Sequence, residues 1–242
     1  YLANNVTTVT TVKPVGGYAY YKDGVLTLNN FVAAKLVRYY ERYLEVELIG
    51  ENKIGAIADY YYWDTTSNNY YTGLEFRGDG DLEFDEYYDD PCCNVSVNGD
   101  VFFNGSGDIL LDAEFNCFQY TDNVIINDGY VYCYCSQFCV FGDDTNITVN
   151  GGKLVAGSNT AFGSGDVAVN DGGTLDLGAC IITNRVLLSG DATLAHADGA
   201  SNILMQSGAN ADFANGFELS AGKSLTVGAG MAAFARSRAA RV

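Results

Sequence analysis

From the middle of the chain onward one short word recurs. It is a run of alternating apolar residues, a turn built on Asn-Gly, Ser-Gly or Asn-Asp-Gly, and a second short alternating run. Its clear copies are Val124-Ile125-Ile126 with Asn127-Asp128-Gly129, Ile147-Thr148-Val149 with Asn150-Gly151-Gly152, Val167-Ala168-Val169 with Asn170-Asp171-Gly172, Val186-Leu187-Leu188 with Ser189-Gly190-Asp191, and Ile203-Leu204-Met205 with Gln206-Ser207-Gly208. Weaker members are Val95-Ser96-Val97 with Asn98-Gly99, Leu74-Glu75-Phe76 with Arg77-Gly78, and Leu44-Glu45-Val46. Turn positions 98, 127, 150, 170, 189 and 207 lie 29, 23, 20, 19 and 18 residues apart. A word repeated at a near-constant spacing is the signature of a repeat architecture. Period-2 alternation of β-branched residues between Asn-Gly turns means strands. One rung carries too few apolar residues to stand alone, so the rungs must stack in register to make a continuous core. The sequence predicts an all-β fold, a single-stranded parallel β-helix (β-solenoid) with rungs of about 18–30 residues that taper toward the C-terminus. A sandwich also has short strands and turns, but gives no reason for one word to recur.

The decoration changes along this repeat. All 18 tyrosines lie at or before Tyr134, whereas the later rungs are short and rich in Gly, Ala and Asn. The expected organisation is an N-terminal extended segment or cap (1–23), a solenoid (24–230) and a basic tail (231–242). The solenoid divides into a Tyr-rich, acidic part with long loops (24–140) and a part with short rungs (141–230).

Charge narrows the partners. Lys and Arg number 13 against 30 Asp and Glu in 242 residues, a net charge of -17. Nucleic acid is excluded as a partner, because phosphate binding needs clustered Lys and Arg, and anionic membrane surfaces fail for the same reason. No apolar run approaches the ~18 residues of a spanning helix. The chain opens on Tyr1 with no charged-then-apolar leader, which is expected of a mature secreted chain. Seven cysteines without a CxxC pair point to an oxidising, extracellular or cell-surface setting. Sequons at Asn5, Asn94, Asn104 and Asn146 are relevant only in a glycosylating host.

The rung words also carry a resemblance. The stretch NDGGTLDLGACIITNRVLLSGDATL, residues 170–194, resembles the rungs of autotransporter-type bacterial surface passengers, which are right-handed β-helices. GVLTLNN at 24–30 and LEVELIGENKI at 44–54 are similar to a family of secreted bacterial β-helix proteins described as carbohydrate-binding. The resemblance implies fold and extracellular address far more than a specific activity.

Four groups of residues are candidates for function. Tyr60, Tyr61, Tyr62, Trp63, Tyr70 and Tyr71 sit beside Asn and Asp in a long insertion, the mixture that packs against sugar rings and takes their hydroxyls; packing or assembly is the alternative use. From Gly78 to Gly152 there are 15 acidic residues and no Lys or Arg, and Asp79, Asp81, Glu83 and Asp85 form a run suited to calcium, with solvated acidic turns as the alternative. Cys93, Cys117 and Cys139 are 24 and 22 residues apart, about one rung each. A Cys117–Cys139 disulfide is therefore expected, with Cys133 and Cys135 seeking partners on neighbouring rungs. Finally, Val6, Val9 and Val12 belong to seven consecutive β-branched residues that read as a strand in search of an edge, and Arg236, Arg238 and Arg241 make a basic tail that can dock on an acidic neighbour.

Catalysis finds little support. His196 is the only histidine, and the match of Thr193–His196 to Thr174–Leu177 predicts it in the inward slot of Leu177. Gly142-Asp143-Asp144 looks like the paired aspartates of polygalacturonases, but Asn-Thr-Asp, Gly-His-Gly and Arg-x-Lys are all missing. The expected function is that of a non-catalytic extracellular structural or adhesive surface protein, self-assembling end to end. A polysaccharide-binding module using the Tyr/Trp face with calcium is the alternative.

Overall fold

The computed structural model describes residues 1–4, 6–38, 43–59, 73–84, 93–135, 145–214 and 224–227. The fold is all-β, with 60% of the described residues in strands and 2% helical. Its strands are β1 (Leu2–Ala3), β2 (Tyr18–Lys22), β3 (Val25–Asn29), β4 (Val32–Arg38), β5 (Tyr43–Ile49), β6 (Glu51–Asp59) and β7 (Gly73–Gly78). They continue with β8 (Asp81–Phe84), β9 (Cys93–Phe103), β10 (Asp108–Ala113), β11 (Asn116–Ile126), β12 (Tyr130–Cys135), β13 (Asn146–Val149) and β14 (Lys153–Ala156). Last come β15 (Val167–Val169), β16 (Thr174–Asp176), β17 (Ile182–Leu188), β18 (Thr193–Ala195), β19 (Ala200–Met205) and β20 (Ser224–Val227). All are hydrogen-bonded into one sheet that is not closed into a barrel.

Beyond β3 the pairing is parallel, and each strand bonds to strands one pass of the chain away. One ladder runs through β3, β5, β7, the ends of β9 and β11, then β13, β15, β17, β19 and β20. A second joins β6, β8, β10, β12, β14, β16 and β18. A third links β4 to residues 53–59 of β6, and the C-terminal part of β6 to the starts of β9 and β11. In the first ladder the inward column reads Leu26, Val46, Phe76, Phe103, Ile126, Val149, Val169, Leu188 and Met205, and the register continues to Val227. Spacing along this column falls from 30 residues between Val46 and Phe76 to 17 between Leu188 and Met205. It is shorter before, at 20 from Leu26 to Val46, and longer after, at 22 from Met205 to Val227. The taper belongs to the middle of the chain.

Alternation does what the pattern requires. Val167, Val169, Leu175, Leu177, Val186 and Leu188 are all fully buried, and Phe76 stacks on Phe103 with ring centroids 5.3 Å apart. Each inward residue lands on an inward residue of the next pass, so apolar area is buried continuously rather than rung by rung.

Three expectations are corrected here. Asn98-Gly99 is not the counterpart of Asn127-Asp128-Gly129: Val101, Phe102 and Phe103 pair with Val124, Ile125 and Ile126, so the equivalent turn starts at Asn104. Gly99, with φ 114°, instead bends β9 from the third ladder into the first, a conformation side chains rarely allow. The run Val6–Val12 is not a strand; these residues are exposed, Val9 to 75%, and outside regular structure. The edge that would have paired them is occupied, because Leu2 and Ala3 bond antiparallel to Ala19 and Tyr18 of β2, which in turn covers β3. The cysteine spacing also misleads by one residue. Cys93 is in register with Asn116, not Cys117, and a one-residue offset switches the face of a strand.

Candidate functional site

The turn after the first ladder is the most regular feature of the surface. Its opening residue donates a backbone N–H to the inward carbonyl of the previous pass: Asn104 to Phe76, Asn127 to Phe103, Asn150 to Ile126, Asn170 to Val149 and Ser189 to Val169, at 2.8–2.9 Å. These bonds put the side chains directly over one another. Asn127 Nδ2 donates to Asn104 Oδ1 at 2.6 Å, Asn150 to Asn127 at 2.8 Å, Asn170 to Asn150 at 2.7 Å, and Ser189 Oγ to Asn170 at 2.5 Å. Asn104 Nδ2 ends the chain on Glu75 Oε1 at 2.9 Å, and Glu75 Oε2 accepts from the Tyr43 hydroxyl at 2.5 Å. Burial and the bond to Glu75 push the Tyr43 hydroxyl's pKa up, so it stays a donor. From Ser189 to Asn104 every donor points the same way along the stack, toward the Glu75 carboxylate, so the bonds polarise one another.

Beside it, the outward face of the second ladder carries a row of tyrosines. Tyr130, Tyr132 and Tyr134 face out while Val131, Cys133 and Cys135 are buried, as the alternation predicts. Their neighbours are Asp108, Leu110 and Asp112 on one side, with Lys153 and Val155 on the other. Lys153 Nζ lies 5.9 Å from the Tyr130 ring centroid and 2.7 Å from Asp176 Oδ2.

Asp176 is the centre of a small charged cluster. Its Oδ1 accepts from the Gly178 N–H at 3.0 Å and meets His196 Nδ1 at 2.8 Å. Burial opposes its ionisation, yet the hydrogen bonds from Lys153, Gly178 and His196 outweigh it and hold the carboxyl at about 2. His196 is therefore not packed inward. Thr193, Leu194 and Ala195 do register with Thr174, Leu175 and Asp176, but the strand stops at Ala195. A left-handed His196 (φ 56°) then turns the imidazole out to 42% exposure, and Ala197 is buried after it. An ionised carboxylate whose oxygens are held by three donors orients its neighbours; it is not free to donate a proton.

The residues singled out from the sequence fare unevenly. Tyr60, Tyr61, Tyr62, Trp63, Tyr70, Tyr71, Asp85, Cys139, Arg236, Arg238 and Arg241 lie outside the described residues. Asp79, Asp81 and Glu83 are exposed, with Asp79 in a turn and the other two on the outward side of β8. Asp81 Oδ1 accepts the Asp108 N–H at 2.8 Å, and Glu83 pairs with Lys53 at 2.9 Å. Among the described residues no three His, Cys, Asp or Glu side chains converge as metal ligands. Cys117, which was expected to bridge to Cys139, is a buried free thiol, and so is Cys133. What sequence reading missed is the amide ladder and the Lys153–Asp176–His196 cluster. The signal for the ladder was present, since Asn opens the turn in word after word.

No family model matches the chain, and no curated protein or solved structure matches it either.

Proposed function

We propose that this chain is a β-solenoid serving as a non-catalytic structural or adhesive protein of an extracellular surface. The observation that carries the reading is the amide ladder. Side chains that a catalytic site would aim at a common point are instead bonded along the stack, from Glu75 through Asn104, Asn127, Asn150 and Asn170 to Ser189. Ion pairs follow the same direction: Arg77 joins Glu45 and Glu47 of the preceding pass, and Arg185 joins Asp166. Axial cross-linking stiffens a rod and adds nothing to ligand convergence. The extracellular address rests on the rung resemblance and on acidic, cysteine-containing composition.

Assembly end to end remains part of this reading, with a narrower route. Leu2 and Ala3 already cover β2 within the chain, so strand addition to a neighbour falls to the exposed Val6–Val12 segment. Negative-stain imaging of native material, before and after removal of residues 1–12, tests the proposal. Rods or filaments lost on truncation support it; a wild-type monomer at high concentration removes assembly, and turnover of a pectin-like substrate removes the non-catalytic reading.

A second reading, polysaccharide binding, draws on the row Tyr130, Tyr132 and Tyr134 beside Lys153 and Asp176. Glycan-array binding abolished by Tyr132→Ala favours it.

A further inference from the structure

The outward side of the first ladder carries a row of side chains that neither the amide ladder nor the tyrosine face uses. From β9 to β19 its central outward position is held by Phe102, Ile125, Thr148, Ala168, Leu187 and Leu204, in register from pass to pass. All six are half-buried, and the residues before and after each of them are buried. Five of the six are apolar, at positions where a half-solvated sheet calls for polar residues. With about 4.8 Å between paired strands, the row runs about 24 Å along the stack.

Polar columns border this row on both sides. One is the amide ladder. The other is Asp100, Asn123, Asn146, Asp166 and Arg185, in which Asn123 Nδ2 donates to Asp100 Oδ1 at 2.7 Å and Arg185 pairs with Asp166. An apolar centre inside a polar border is how an interface is built.

The order of residues along the row identifies what covers it. A two-fold axis parallel to the strands, at the level of Thr148, lays a second copy face to face with the first, its stack running the opposite way. Each pass then meets the pass equally far on the other side of Thr148. Phe102 falls on Leu187, Ile125 on Ala168 and Thr148 on Thr148, so on either side of the axis a larger side chain meets a smaller one. The borders match under the same operation, because Asp100 faces Arg185 and Asn127 faces Asn170. One pass further out Leu204 reaches β7, where Tyr43, 43% exposed, lies across Gly73.

We propose that this face pairs with the same face of a second copy of the chain, antiparallel, as two aligned sheets about 10 Å apart. The contact is isologous, so it closes at two copies, and it is lateral, which separates it from end-to-end growth. Three outward columns about 7 Å apart give a footprint of roughly 300–400 Å² on each copy. That is below the ~800 Å² a side of a stable complex, so pairing is weak and concentration-dependent.

The test is sedimentation equilibrium of the full chain from about 10 μM to about 1 mM, the range of a weak dimer. The buffer holds about 0.15 M salt, which screens the like net charges beyond about 8 Å. Wild type should pass from monomer to dimer and stop there. Leu187→Glu, which buries a charge in the contact, should weaken association at least about tenfold. Leu110→Glu, at a residue 39% exposed on the second ladder, should leave it unchanged, and so should Val9→Glu in the segment assigned to end-to-end growth. Mixing Ile125→Ala with Ala168→Ile should give a heterodimer tighter than either homodimer, because only the mixture restores a large residue against a small one at both contacts. The wild-type series needs no variant to fold. A wild type that stays monomeric to the top of the range, a dimer that Leu187→Glu leaves intact or Val9→Glu abolishes, or a mixture no tighter than its homodimers overturns the proposal.

Discussion

Asn150 donates from Nδ2 to Asn127 Oδ1 at 2.8 Å, and Asn127 passes the same bond on to Asn104 at 2.6 Å. Two residues 23 positions apart in sequence thus make the contact that identical side chains make in stacked in-register strands. The ladder sits on the surface, so each member can turn to water when its neighbour is lost. Cutting it at Asn127→Ala should cost about 0.5–1.5 kcal/mol by denaturant unfolding. If the bonds polarise one another, Asn104→Ala and Asn170→Ala, which share no partner, should show a coupling energy above the few tenths expected of independent sites. Strict additivity would show the amides acting as separate pairs.

The register makes a sharper demand. Leu177 is 0% exposed and Leu175 likewise, whereas Thr174 faces outward. Leu177→Ala should cost about 2–4 kcal/mol, and Leu177→Asp should cost more through an unpaired buried charge. Thr174→Ala should stay within about 0.5 kcal/mol. Equal losses at positions 174 and 177 in urea titrations would contradict the assigned faces.

Backbone proximity between passes gives a third test. A Cβ on Gly107 would lie 2.1 Å from the Gly80 carbonyl oxygen, and nothing lies within 4 Å of one on Gly16. Gly107→Ala should therefore force the passes apart, at a cost of about 1–3 kcal/mol. Gly16→Ala should be neutral or slightly stabilising through the unfolded chain. Thermal melts of the two variants side by side decide it.

These contrasts show what was legible in the sequence. Alternation fixes which face a residue takes, so the inward set from Val167 to Leu188 and the outward tyrosines of β12 were readable directly. Corners were not. Gly99 and His196 both look like members of a repeating word, and both have positive φ that diverts the chain where the word says it continues. Cys93 and Cys117 have rung-like spacing, but the pass between them is 23 residues, so the count is off by one and the pairing changes. Side-chain bonds between passes are also hidden: the Asn residues of the ladder are visible as turn formers, while Lys153 and Asp176 are separated by a whole rung and nothing local connects them.

The cluster at Asp176 leads to the last prediction, a dependence of stability on acid. In the folded chain its carboxyl titrates at about 2, below its ordinary 3.8, because Lys153, Gly178 and His196 all stabilise the charged form. A lowered folded pKa contributes stability that is present above the unfolded value and disappears as pH falls through the folded one. The contribution should be complete by about pH 5, mostly lost by pH 2 and gone below it. Asp176 itself is only 15% exposed, but Lys153 and His196 are 39% and 42% exposed, and solvent screening reduces the gain to about 1–2 kcal/mol. Asp176→Asn removes the titrating group, so the gap in unfolding free energy between wild type and variant should be widest at pH 5–6 and narrow progressively down to pH 2. A gap that stays constant across that range would mean that the ion pairs contribute nothing and that Asp176 serves the turn at Gly178 alone.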